Sequence, residues 1–141
     1  MNNDITYNNK ITVEEYYVMR ESAGWFLPEN SQAEQSLNNS MYIITARDNN
    51  KIVGMARLVG DGAYFTLLVD VIVLPEYQGQ KIGSTMVENI LTYVKNKRKK
   101  GQYISVQLCS AKGKEGFYEK FGFEKRPNEQ TGCGMGLLLC D

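Results

Sequence analysis

One stretch of this sequence decides the fold, and it reads Val71-Ile72-Val73-Leu74-Pro75-Glu76-Tyr77-Gln78-Gly79-Gln80-Lys81-Ile82-Gly83-Ser84. It begins inside the segment Tyr64–Leu74, which is apolar except for Thr66 and Asp70 and is therefore typical of a central strand. Pro75 ends that strand, and residues 81–98 then carry apolar side chains at helical spacing. Because the first amides of a helix lack intrahelical partners and carry the positive end of the dipole, this turn predicts a main-chain cradle for pyrophosphate.

Two common phosphate-binding loops do not match this turn. A P-loop requires GxxxxGK[ST], whereas the five-residue spacing from Gly79 leads to Ser84 without that motif. A dinucleotide-binding fold requires GxGxxG within repeated strand–helix–strand units, whereas the strands predicted before this turn form hairpins. The turn therefore predicts another class of phosphate site.

The remaining pattern predicts a mixed α/β fold built as a single domain over residues 1–141. Strands are predicted over Ile5–Tyr7, Met41–Arg47, Lys51–Val59, Tyr64–Leu74, Gln102–Cys109, Phe123–Arg126 and Met135–Leu139, and helices over residues 13–23, 31–38, 81–98 and 113–121. The segments Thr12–Glu15 and Ser31–Glu34 each have the form of a capping box, which marks a helix start.

Composition excludes several classes of function. The 16 basic and 16 acidic residues cancel, so we expect no nucleic-acid and no membrane partner, and we interpret the basic run Lys95–Lys100 as a solvated face. The chain has no histidine and only three cysteines, without a CxxC pair, which excludes a histidine-based triad and predicts no metal site. Reduced cysteines and the lack of an apolar run of roughly 20 residues predict a cytoplasmic protein.

Two motifs in this order resemble those of the GCN5-related N-acetyltransferase (GNAT) superfamily. The first is Gln78-x-x-Lys81-x-Gly83, which is similar to the coenzyme A-binding motif Q/R-x-x-G-x-G/A, and the second is Gly116-Phe117-Tyr118-Glu119-Lys120-Phe121-Gly122-Phe123. The resemblance implies a mostly antiparallel central sheet with flanking helices. It also implies an N-acetyltransferase that moves the acetyl group of acetyl-CoA to a primary amine, expected to be a small molecule, by direct attack in a ternary complex. The alternatives are a non-catalytic acyl-CoA-binding module of the same fold and a nucleic-acid-binding protein.

The resemblance also assigns site residues. Main-chain groups of Val71, Ile72 and Val73 are expected at the acetyl carbonyl and the pantetheine arm, and Tyr118 is expected to protonate the departing thiolate. Ser110 is expected to replace a pantetheine hydrogen bond, because Ala111 stands where the family often has asparagine. The pyrophosphate is expected to meet Gln78, Gly79, Gln80, Lys81, Ile82, Gly83 and Ser84.

The residues themselves bear on the base and the acceptor. Asp70 interrupts an apolar strand near the expected carbonyl, so it is either a general base or a structural acid; Glu76, Glu29 and Glu124 are looser candidates for the base. Glu29, Asp61 and Asp70 together suggest a cationic acceptor, bound by loops near residues 24–32 and 127–134. Lys81 stands where the family usually has glycine, so a left-handed backbone is expected to cost about 1 kcal/mol or more there. A homodimer is common in such folds, and the apolar segment Leu137–Leu139 is a candidate for its interface.

Overall fold

The computed structural model describes residues 4–141, and the chain divides into two compact units, one ending at Val106 and the other spanning Gln107–Asp141. Single-domain organisation stays a prediction. The elements, in chain order, are β1 (Ile5–Asn8), α1 (Val13–Ser22), α2 (Asn30–Asn38), β2 (Tyr42–Asp48), β3 (Lys51–Gly60), β4 (Phe65–Val73), a 3-10 turn (Pro75–Tyr77), α3 (Ile82–Lys97), β5 (Ser105–Gln107) and α4 (Glu115–Glu119).

The five strands form one sheet in the order β1-β2-β3-β4-β5, and β1 to β4 pair antiparallel. The hairpin between β2 and β3 is confirmed, with Asn49 in the left-handed conformation that its turn requires. β5 is only three residues long and lies beside the start of β4, where the Ser105 N–H donates to Tyr64 O at 2.7 Å. The mixed, mostly antiparallel α/β fold predicted from the sequence is therefore confirmed.

Helix α3 packs its predicted apolar stripe on the sheet. The buried side chains are Ile82, Met86, Val87, Ile90 and Val94. Gly54 of β3 faces this helix, since a Cβ added there would lie 3.1 Å from Met86 Cε. Successive residues of a strand face opposite sides, so Arg57 faces the other side, where its guanidinium carbon lies 5.7 Å from the centre of the Tyr16 ring on α1. Helices α1 and α3 thus cover opposite faces of the sheet.

The two helix starts predicted as capping boxes differ in outcome. At α1 the box is formed: the Thr12 hydroxyl accepts from Glu15 N, and the Glu15 carboxylate accepts from Thr12 N. At α2 the prediction was wrong, because Glu29 occupies the N-cap position and its carboxylate accepts from Ser31 N at 3.0 Å and Gln32 N at 3.3 Å. The longer glutamate side chain therefore displaces the Ser31 hydroxyl from that role.

Two predicted strands in the second unit are not formed. Phe123–Arg126 ends against Pro127, which lacks the N–H that a ladder needs. Met135–Leu139 contains Gly136 and directly follows Gly134, and glycine weakens a strand; Met135 and Leu137 are 95 % and 86 % exposed. Along residues 4–141, no helix is both long enough and apolar enough to cross a membrane.

Candidate active site

A bulge in β4 sets the geometry of the candidate site. Met55 pairs with Ile72 and Arg57 pairs with Val69, so β4 has one more residue than β3 in this interval. Asp70 lies in the extra step with φ 53°, a left-handed backbone that is unusual for a residue inside a strand. The strand is therefore bulged next to the point where the family resemblance places the acetyl carbonyl.

The main-chain groups beyond the bulge point alternately toward and away from β3. The Leu74 N–H donates to Val53 O at 2.9 Å, so Leu74 and Ile72 direct their main-chain groups toward β3. Val71 and Val73 therefore direct theirs to the opposite edge. Because β5 is short and flanks the start of β4, this edge continues past it as a template for an added strand-like ligand.

The side chain of Gln78 binds this edge rather than projecting from the turn. Its Nε2 donates to Val73 O at 3.1 Å, so it satisfies the carbonyl of Val73 and leaves the Val73 N–H as the donor. The amide of Gln78 is used by the turn itself, donating to Pro75 O at 3.3 Å. Gln78 thus connects the end of β4 to the glycine turn.

The N-terminus of α3 has the open amides that the sequence predicts. Lys81 is its N-cap residue and makes no side-chain capping hydrogen bond, and the first intrahelical bond runs from Thr85 N to Lys81 O at 3.0 Å. The amides of Ile82, Gly83 and Ser84 precede that bond and so have no intrahelical acceptor. Gly79 has φ +83°, with nothing within 4 Å of where a Cβ would lie, and Gln80 is exposed, so the turn is open to a ligand.

Lys81 has the left-handed backbone expected of a residue that replaces glycine. Its φ is 65° and its ψ is 16°, which confirms the conformation predicted from the motif. The side chain is exposed at the N-terminal end of a 16-residue helix. A positive charge there opposes the helix dipole, which is tolerable where an anion binds.

Asp70 is held by three side chains from α1 and β3. Its carboxylate accepts from the Arg57 Nε at 2.6 Å, the Tyr16 hydroxyl at 2.7 Å and the Arg20 Nη1 at 2.8 Å. Its side chain is 7 % exposed. Burial, followed by the charge of Asp70, raises the pKa of Tyr16, so this phenol remains a donor to the carboxylate. The base role of Asp70 stays a prediction, and these contacts agree with the structural role that the sequence left open.

The other candidate bases have different surroundings. Glu29 caps α2, and Glu76 is exposed with its carboxylate 3.8 Å from Lys51 Nζ. Glu124 is exposed in the second unit. None of these contacts gives a carboxylate the desolvated surroundings that sequence reasoning sought.

Within the second unit, Tyr118 lies on α4 among aromatic rings. Its ring centre is 5.0 Å from that of Phe117 and 6.1 Å from that of Phe123, both edge-on. Burial raises the pKa of the Tyr118 phenol, which keeps it protonated at neutral pH. Ser110 donates its hydroxyl proton to Ala111 O at 2.7 Å, so its oxygen is left as an acceptor.

A model of the Acetyltransferase (GNAT) domain family matches residues 39–125. The chain belongs to the GNAT acetyltransferase family. As a member it is an acyltransferase, and the fold that it shares is one that generally uses acetyl-CoA as the acetyl donor.

Solved GNAT structures match over almost the whole chain. A probable acetyltransferase from Staphylococcus aureus is 32% identical with a TM-score of 0.84, covering 96% of this chain and 99% of that one. A GNAT family protein from Streptococcus pneumoniae is 32% identical with a TM-score of 0.77, covering 97% and 98%.

The curated relatives match either at lower identity or over a shorter part of the chain. An uncharacterized N-acetyltransferase of Pyropia yezoensis is 26% identical over 132 residues, covering 91% of this chain and 74% of that protein. A chloroplastic GCN5-related N-acetyltransferase of Arabidopsis thaliana is 35% identical over 81 residues, which is 57% of this chain and 30% of that protein. These relatives support the family and the reaction class.

Sequence reasoning missed two residues of this site, Arg20 and Arg57. Each donates to Asp70, although they lie 50 and 13 positions from it in the sequence. The signal for Arg57 was present, because a charged residue interrupts an otherwise apolar β3 just as Asp70 interrupts β4. Arg20 gave no comparable signal, since a basic residue near a helix C-terminus is ordinary.

Proposed function

We propose that this GNAT enzyme transfers the acetyl group of acetyl-CoA to the primary amine of a small molecule, by direct attack within a ternary complex. The observation that carries the proposal is the bulged β4, whose Val71 and Val73 main-chain groups point away from β3 and which leads into the open N-terminus of α3. A strand edge and a set of helix amides in series fit an extended ligand that ends in pyrophosphate.

Each part of this arrangement has a chemical task. The Val71 N–H would donate to the carbonyl oxygen as negative charge develops on it, which stabilises the transition state more than the ground state. Val73 would hold the pantetheine arm along the strand edge, whereas the expected contact of Ile72 is not proposed, because its main-chain groups are directed toward β3. The amides near Gly79 to Ser84, with Gln80 and the Lys81 ammonium beside them, would hold the pyrophosphate. Gln78 would position the turn through its bond to Val73 O.

Tyr118 is proposed as the acid that protonates the departing thiolate. The proposal rests on its place in the second motif; burial raises the pKa of its phenol, so the phenol stays protonated until the thiolate forms. Transfer from oxygen to sulfur then completes the reaction without a histidine, which this chain lacks. Ser110 is proposed to accept a hydrogen bond from the pantetheine.

The proton that the attacking amine loses would pass to water and would replace the proton that Tyr118 gives to the thiolate, so the transfer balances. Asp70 is close in sequence to Val71, but an amine would have to compete with Arg20, Arg57 and Tyr16 for its oxygens. A base role for Asp70 is therefore weaker than a positioning role, in which the carboxylate fixes the bulge. Cytoplasmic location, a homodimer and the absence of nucleic-acid and membrane partners stay predictions.

Calorimetric titration with acetyl-CoA, without an acceptor, tests the cradle. We expect one site per chain with micromolar affinity, which corresponds to about −8 kcal/mol. An absence of binding up to millimolar coenzyme would refute the proposal.

The role of Tyr118 has its own test. We expect Tyr118→Phe to lower kcat by roughly 10- to 100-fold with an unchanged acetyl-CoA dissociation constant, because only proton transfer is lost. Tyr103→Phe is the matched control, since Tyr103 is exposed and its variant should keep full activity. Binding without turnover of any amine would instead indicate the non-catalytic acyl-CoA-binding module.

A further inference from the structure

The face of the sheet covered by α1 carries more positive than negative charge next to the bulge. Arg20 and Arg57 share one carboxylate, that of Asp70, at 2.8 Å and 2.6 Å. All three side chains are largely removed from water: each arginine is 13 % exposed and the aspartate 7 %. The cluster therefore carries a formal charge of +1 in surroundings where an unpaired charge is costly.

The other partners of these arginines are neutral. Arg20 Nε donates to Phe26 O at 2.8 Å, and Arg57 Nη1 donates to Ser36 O and to Ser40 Oγ. Among residues 4–141, no second carboxylate reaches either guanidinium, and neither Nη2 group donates a hydrogen bond. Two N–H donor groups and one positive charge thus remain available beside Asp70.

The acidic residues that suggested a cationic acceptor are all used within the fold. Glu29 caps the N-terminus of α2. One carboxylate oxygen of Asp61 accepts from the amides of Ala63, Tyr64 and Phe65 at 2.7, 3.0 and 3.2 Å, which closes the turn before β4. These backbone bonds lower the pKa of Asp61 and explain its presence without a ligand. Each of these three carboxylates is therefore already bound by groups of the protein itself.

The arginines are linked to the proposed reaction through Asp70. Asp70 immediately precedes Val71, whose N–H is proposed to face the acetyl carbonyl. An acceptor amine that approaches this carbonyl from the α1 face would come from the side of the sheet on which the Asp70-bound guanidiniums lie. The rings of Trp25 and Phe26, with their centres 5.4 and 5.1 Å from the Arg20 guanidinium carbon, are partly exposed and lie beside the same group.

We propose that Arg20 and Arg57 bind a carboxylate of the acceptor, so that the substrates are small amines that also carry a carboxylate group. The two free Nη2 groups match the two oxygens of a carboxylate, and the bound anion would bring the cluster to neutrality. This inference rests on the proposed acetyl transfer and specifies its acceptor class.

The test compares each amino acid with its carboxamide, for example glycine with glycinamide and β-alanine with β-alaninamide. Acetyl transfer by the full chain is measured at saturating acetyl-CoA, and kcat/KM is expressed per neutral amine, because the two amines of a pair differ in pKa. We expect the wild-type chain to prefer the carboxylate at least tenfold. Arg57→Gln should reduce that preference at least tenfold, mainly through KM, since ground-state binding is lost.

Arg47→Gln is the matched control. Arg47 is 12 % exposed and paired with Glu15 at 2.5 Å, away from Asp70, so its variant should keep the preference. Arg57→Lys and Arg20→Lys retain the positive charge but lose the planar fork, and they replace Arg57→Gln if that variant does not fold; each should also weaken the preference.

The possible results separate the two proposals. Equal or better use of the carboxamides by a chain that acetylates amines would overturn the carboxylate site and leave acetyl transfer intact. A preference that survives in Arg57→Gln and Arg20→Lys would overturn the assignment to these arginines. A chain that neither binds acetyl-CoA nor acetylates any amine would overturn both.

Discussion

Two effects act together at Lys81: a left-handed backbone and a positive charge at a helix N-terminus. Replacing Lys81 by glycine removes both. The φ of 65° costs a residue with a Cβ roughly 1–2 kcal/mol, whereas glycine adopts it freely. Glycine also gains freedom in the unfolded chain, which costs about 0.5–1 kcal/mol. Without the effect of the charge, these two terms should raise the free energy of unfolding of Lys81→Gly by roughly 0.5–1 kcal/mol.

Lys81→Gln separates the two effects, because it removes the ammonium but keeps the Cβ and the strained backbone. Urea unfolding of the two variants should show Lys81→Gly to be the more stable by about 0.5–1 kcal/mol, equivalent to a few degrees in Tm. If the ammonium contacts the pyrophosphate, both variants should bind acetyl-CoA up to about fivefold more weakly, the range of an exposed ion pair.

The reasoning is refuted by either of two results. If Lys81→Gly is less stable than Lys81→Gln, the left-handed conformation at this N-cap carries no cost. If both variants bind acetyl-CoA as the wild-type chain does, the Lys81 ammonium has no part in the cradle, and only the main-chain amides remain as donors.

Three further substitutions, at Asp70, Gly60 and Glu15, test the contacts that stabilise the sheet and helix α1. Asp70→Asn keeps the shape and tolerates the left-handed backbone but leaves Arg20 and Arg57 without an anion, so we expect about 3 kcal/mol of destabilisation in urea unfolding; a change under about 1 kcal/mol would contradict it. Gly60→Ala places a Cβ 2.3 Å from Phe65 O and should cost about 3 kcal/mol, whereas Gly132→Ala, with nothing within 4 Å, should change stability by less than about 0.5 kcal/mol. The hydrogen bond from Arg47 is the main cause that lowers the pKa of Glu15 from 4.5, so its contribution is present above pH 4.5 and is lost as pH falls through the folded pKa. Glu15→Gln should thus be less stable at pH 7 by about 1 kcal/mol, and the difference should shrink as the pH falls below 4.5; a difference that does not shrink there would argue against this linkage.

Sequence patterns predicted correctly the features that depend only on residues close together in the chain. The α3 stripe from Ile82 to Val94 and the Thr12 capping box follow from spacing along one helix, and both are confirmed. The predicted strand Met135–Leu139 is not formed. A strand requires a neighbouring strand to pair with, and an apolar pattern in the sequence does not show whether that neighbour exists. The predicted cap at α2 failed because the helix begins earlier than the pattern indicated: Glu29 is the N-cap residue, and Ser31 lies inside the helix, where its N–H donates to the Glu29 carboxylate.

The site itself was predictable only in its main-chain part. Gly79, Lys81 and the helix that follows are contiguous, so their geometry can be inferred from one motif. The contacts of Asp70 join α1, β3 and β4, and their distances in sequence hide them from any local pattern. The sequence did mark both partners on the sheet, because Arg57 and Asp70 are charged residues inside apolar strands. Opposite charges inside two neighbouring apolar strands are expected to pair with each other. This rule alone would have predicted the contact between Arg57 and Asp70.

Asp70 connects the proposed acetyl-binding part of β4 with the proposed carboxylate site at Arg20 and Arg57. Its left-handed backbone costs of order 1 kcal/mol, and three hydrogen bonds, two of them to guanidinium groups, offset that cost several times over. The same bonds hold Arg20 and Arg57 in place with one donor group of each still free. The contacts that keep the bulge, and with it the direction of the Val71 N–H, are thus the contacts that position the proposed carboxylate site. Loss of Asp70 should therefore weaken acceptor selection and transition-state stabilisation together, whereas a change that removes an arginine's free donor but keeps its bond to Asp70 should affect selection alone.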